Sequence, residues 1–148
     1  MMDLRDERSL MIPGVIGWYS HEGQIEIEGI GEALTSLAKL LEDGYGIAVF
    51  IVPEGEDSRP YDGFLYSIKV NDSDSSILVT REGHVLHISG SQEKLEILAC
   101  NIRFLVTQNS GPEVTEETSN HLHEEYYPQH PFLHQDALSL IITYIKKI

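Results

Sequence analysis

Apolar and polar residues alternate along QIEIEG (24–29) and HVLHISG (84–90) with the period of two that marks a half-buried strand. A glycine ends each strand, and apolar spacing of three and four then takes over, as on one face of a helix. The two stretches echo each other at an offset of 61 residues. Ile25, Ile27, Gly29, Glu32, Leu34, Leu37, Ala38 and Leu41 align with Leu86, Ile88, Gly90, Glu93, Leu95, Leu98, Ala99 and Ile102. The pattern predicts a duplicated strand-Gly-helix unit. Ser91 followed by Lys94 is a partial capping signal for the second helix, which runs to about 108 before Asn109, Ser110, Gly111 and Pro112 stop it.

Between the helices, GIAVFIV (46–52) is a continuous β-rich run expected to be buried and central. FLYSIKV (64–70) reads as one alternating strand, and SSILVT leads through Arg81-Glu82-Gly83 into HVLHISG as a hairpin. A further strand fits 15–20. Runs of strands between helices, rather than strict alternation, predict an α+β fold: a mainly antiparallel β-sheet with two helices packed on one face. The 148 residues fit a single domain over 1–148, with a pseudo-repeat at about 15–70 and 76–148.

Charge sharpens the picture. Against 24 Asp and Glu stand 10 Lys and Arg, a formal net of −14. That field repels phosphate backbones and speeds encounter with basic partners, so nucleic acid is excluded as a ligand and a basic protein is favoured. High acidity also serves solubility alone. No stretch approaches the roughly 20 apolar residues of a membrane helix. The start, MMDLRDERSLMIPG, lacks the apolar core of a secretory signal, which predicts a cytoplasmic protein. The lone Cys100 sits in an apolar helical pattern and reads as a buried packing thiol.

The segment 119–142 concentrates the candidate chemistry, holding four of the seven histidines, two tyrosines and three acids. On a strand over 121–127, His121, His123 and Glu125 share one face, and Leu122, Glu124 and Tyr126 the other. Two imidazoles and a carboxylate are a ligand set for zinc or iron, to which His130 and His134 would add, although one flat strand seldom brings ligands to bonding distance. Otherwise these side chains form a semi-polar sheet face, with Pro128 and Pro131 turning the chain into a final strand. NDSDSS (71–76) lacks the glycine and distal Glu of a calcium loop and reads as a turn. No phosphate-cradling glycine motif, nucleophile elbow or cysteine pair is present, and no cofactor is expected. Trp18-Tyr19 reads as a packing anchor.

ISGSQEKLEILACNIRFLV, followed after a polar linker by HLHEEYYPQHPFLHQDALSLIITY, resembles the small bacterial immunity proteins of polymorphic toxin systems, in particular the group called immunity protein 32. The matching positions are Ile88, Gly90, Leu95, Leu98, Ala99, His121, His123, Tyr127, Ser139 and Leu140 to Ile142. The resemblance does not reach the N-terminal half. It implies a cytoplasmic protein that is not an enzyme and binds a toxin domain encoded by a neighbouring gene. Many such toxins are nucleases with basic clefts, which carboxylates can answer. The expected contacts are the acidic loops 53–63, 71–76 and 109–120 and the histidine strand: Glu54, Glu56, Asp57, Asp72, Asp74, Glu116, Glu117, Glu124 and Glu125, with Tyr126 and Tyr127 as aromatic anchors. Two rivals stand beside this reading. One is a metal-binding protein or metal-dependent enzyme on His121, His123 and Glu125; the other is a scaffold that uses its sheet to form a homodimer.

Overall fold

The computed structural model describes residues 9–11, 15–20, 22–111, 114–115 and 118–146. The chain runs β1 (Ser9–Met11), β2 (Val15–Tyr19), β3 (Gln24–Gly29), α1 (Gly31–Asp43), β4 (Gly46–Val49), β5 (Gly63–Leu65), β6 (Ser67–Asp72), β7 (Leu78–Glu82), β8 (Val85–Gly90), α2 (Gln92–Ser110), β9 (His121–Glu124) and β10 (Ser139–Tyr144). This is an α+β fold whose strand pairings are mostly antiparallel. The strands form two five-stranded sheets, β1-β4-β6-β8-β7 and β5-β2-β3-β10-β9.

The echo in the sequence is an exchange of strands in space. Each half supplies a hairpin, a helix and a closing antiparallel pair: β2-β3, α1, β4-β6, then β7-β8, α2, β9-β10. Each closing pair joins the other half's hairpin, with β6 parallel to β8 and β10 parallel to β3. The registers agree. Ser67 opposes Val85 as Ser139 opposes Gln24, and Val85 and Gln24 are themselves equivalent. β1 and β5 extend the sheets at β4 and β2.

Three elements differ from the sequence pattern. The run 64–70 is two strands in two sheets, because Leu65 and Ile68 are both buried yet three residues apart, a slip of phase at Tyr66 where the chain changes sheet. The run 46–52 is a strand only to Val49, and Ile51 and Val52 are exposed. Cys100 is exposed rather than buried. With Leu98, Ala99 and Ile102 inward, position 100 falls with Ile97 and Phe104 on the solvent side of α2.

Local chemistry places the helix ends. Gly44 stops α1 in the left-handed conformation and donates its N–H to Leu40 and Leu41. The Ser91 side chain caps α2 by accepting from the Lys94 N–H at 3.4 Å. The helices pack on each other, and Leu34, Leu37 and Leu41 of α1 join Leu95, Leu98 and Ile102 of α2 and the inner faces of both sheets in one core. Each such side chain contributes about 1.5–3 kcal/mol. Arg103 binds Glu42 through two 2.7 Å hydrogen bonds, and the two residues are equivalent positions 61 apart. A two-fold relation brings a residue against its own counterpart, so an unaltered duplication would oppose like charges there. Divergence to Glu and Arg makes the axis attractive. Among the described residues no helix is long and apolar enough to cross a membrane.

Candidate functional site

The histidine segment separates into an exposed strand and a buried turn. On β9, His121 and His123 point outward and Glu124 inward, following the alternation of the strand. After β9, Tyr127, Pro128, Gln129 and His130 form a turn closed by the His130 N–H donating to the Tyr127 carbonyl at 2.9 Å. Pro128 pre-sets the first turn position, and Gln129 adopts φ 71°, a conformation normally given to glycine or asparagine. His130 accepts the N–H groups of Phe132 and Leu133 on Nδ1, at 3.1 and 3.0 Å. Its proton therefore sits on Nε2, which faces Glu124 Oε2 at 3.6 Å. Asn101 of α2 donates to the other carboxylate oxygen at 3.3 Å.

Glu124 is 8% exposed, an acid set inside the protein rather than on a contact face. The pseudo-symmetry identifies what is unusual about it. Its equivalent in the first half is Ala48, and the equivalent of Asn101 is Leu40, both buried and apolar. One half thus carries a polar cluster of Asn101, Glu124 and His130 where the other carries ordinary core. Next to it lies a cleft of about 290 Å³ lined by Ser76, Tyr126, Gln129, His130, Leu133 and His134 among others. A larger cavity of about 510 Å³ opens between the start of α1 and the end of α2, lined by Ile30, Gly31, Thr35, Val106, Ser110 and Tyr144. None of the expected site residues lines it.

The remaining expected residues do not converge. Glu54, Glu56, Asp57, Asp72, Asp74 and Glu125 are exposed. Glu116 and Glu117 lie outside the described residues. Tyr127 is 55% exposed with its ring 4.7 Å from that of His130, whereas Tyr126 is half-buried against the core. Among the described residues no three His, Cys, Asp or Glu side chains come together to hold a metal ion. His123 and Glu125 approach only to 3.9 Å, and the two nitrogens of His130 are already directed at backbone N–H groups and at Glu124. The donor set does not fit a metal.

A third region escaped the sequence pattern. The outer face of the second sheet presents a row across five strands, Phe64, Trp18, Glu26, Ile141 and His123, and beside it Ile16, Glu28, Thr143 and His121. Trp18 lies 6.0 Å from the rings of both Phe64 and Tyr61, so it packs against aromatics, but on the outside of the sheet. The Tyr61 hydroxyl donates to Glu26, and the Thr143 hydroxyl lies 3.5 Å from its other oxygen. The signal was present in the echo. Glu26 and Glu28 stand where the second half has His87 and Ser89.

No protein-family model, curated protein or solved structure matches the chain.

Burial pushes the carboxyls of Glu124, Glu26 and Glu28 up, Glu26 further through repulsion from Glu28. Burial pushes the His130 imidazole down. A carboxyl with a raised folded-state pKa contributes stability that is full below its unfolded value, 4.5, and is lost as pH rises through the folded value. Glu124→Gln removes that loss. Thermal melts are expected to show the variant above the parent at pH 8, with the difference shrinking toward pH 4. A difference that grows on acidification would contradict a desolvated Glu124.

Proposed function

We propose that this chain is an immunity protein, acting in the cytoplasm by binding and neutralising a toxin domain encoded by a neighbouring gene. The observation that carries the reading is the state of the loop carboxylates. The side chains of Glu54, Glu56, Asp72 and Asp74 are exposed and make no hydrogen bond or ion pair with any described residue. Asp57 differs from these four: Arg59 answers it and holds its carboxyl below the usual range. Exposed charges of one sign on a chain of net −14 form a field suited to a basic cleft. The resemblance of the segment from Ile88 onward to immunity proteins supports the same reading. Tyr127, exposed on the turn after β9, supplies an aromatic of the kind that anchors interfaces.

The test is co-purification with the C-terminal domain of the protein encoded next to this one, across a salt series, with a toxicity assay in parallel. Tight binding that weakens as salt rises and abolishes toxicity is the expected result. Absence of binding at low salt would remove the immunity reading, and salt-independent binding would remove its electrostatic basis.

A further inference from the structure

The outer face of the second sheet holds two half-buried carboxylates that have no ion pair among the described residues. Among the described residues the Glu28 side chain makes no hydrogen bond or ion pair, and the Glu26 carboxylate meets the hydroxyls of Tyr61 and Thr143. At Glu42, by contrast, the chain answers a partly buried acid with a cation, Arg103. Here hydroxyl donors meet Glu26 and the Trp18 ring stands cross-strand from it, with His121 a cationisable group nearby. A desolvated carboxylate without a cation is costly unless something supplies the charge. The equivalent face of the other sheet lacks the feature. There, Thr80 opposes His87, whereas here Trp18 opposes Glu26.

We infer that this face, centred on Trp18, Glu26 and Glu28, is the docking surface for an arginine- or lysine-bearing segment of a protein partner, the cation lying against the indole between the two carboxylates. An indole face attracts a cation and a carboxylate pairs with it, so the two together select a basic side chain over an apolar or acidic one. The inference rests on the reading of the chain as a binder of basic proteins and names the surface and the group that surface takes. The acidic loops then guide approach and the sheet face holds the bound state. A second copy of the chain is disfavoured as occupant by the charge of −14 that each copy carries.

Trp18 is the single tryptophan, so fluorescence excited selectively at tryptophan reports this face alone. The probe is a synthetic peptide alternating arginine and glycine, with a glutamate-glycine peptide as control. The arginine peptide is expected to change Trp18 emission saturably and the glutamate peptide to leave it unchanged. E26Q/E28Q is expected to weaken half-saturation by about tenfold, while E93Q/E96Q on the exposed side of α2, which alters net charge equally, moves it by less than about twofold. Both variants are near-isosteric, and melting curves check that they fold. No saturable change in the parent, equal weakening in both pairs, or a concentration-dependent dimer that shields Trp18 would overturn the inference. Peptide binding through Trp18 in a chain that ignores the neighbouring toxin domain would sink the immunity reading and leave this one standing.

Discussion

Reversing Glu54, Glu56, Asp72 and Asp74 to lysine is expected to slow capture of a basic partner by about 10- to 100-fold while changing dissociation little. The four side chains are exposed on the 53–63 loop and at the end of β6, and each is unpaired among the described residues. Charges in that state are screened over roughly 8–10 Å at physiological salt. They act on approach more than on the docked complex. Stopped-flow association with the purified toxin domain separates the two effects. A fall in the association rate that vanishes at high salt fits steering. An unchanged association rate with faster dissociation would place the loops inside the contact, and no effect on either rate would remove the loops from recognition altogether.

The parts of the fold that depend on local pattern were legible. Period-two alternation placed β3 and β8, the turn through Gly83 placed the hairpin of β7 and β8, and Ser91 marked the start of α2. The exchange of closing strands between halves was not legible, because no local period states which sheet a strand joins. Its one visible trace was the three-residue step from Leu65 to Ile68, where an unbroken strand would step by two. For the candidate sites the informative signal was departure from the echo. Asn101 replaces Leu40 at an otherwise apolar position, and Glu26 and Glu28 replace a histidine and a serine. Counting histidines drew attention to the right segment for a different reason. His130 matters as the keystone of a turn, held through backbone N–H groups, and not as a ligand.

Asn101→Ala is expected to cost about 1–3 kcal/mol, because it leaves the buried Glu124 Oε1 without its donor. Glu124→Leu alone is expected to cost a similar amount by leaving the Asn101 amide without its acceptor. Combining them removes both polar groups, and N101A/E124L is expected to return to within about 1 kcal/mol of the parent, giving a coupling of about 1–3 kcal/mol. The first half supplies the precedent, since Leu40 and Ala48 fill the equivalent space without polar atoms. Alanine rather than leucine is the apt residue at 101. Leu122 stands where the first half has Gly46, and a side chain at Gly46 would already lie 2.6 Å from Leu40. His130 keeps its backbone bonds in the double variant, and its ring also lines the adjoining cleft. Urea unfolding of the parent, both singles and the double measures the coupling. Additive losses in the double would mean that Asn101 and Glu124 do not act as a pair. A double variant that recovers stability but no longer protects against the toxin would show that the polar cluster serves recognition at the Tyr126 and Tyr127 turn, since the core without it is already sufficient to fold.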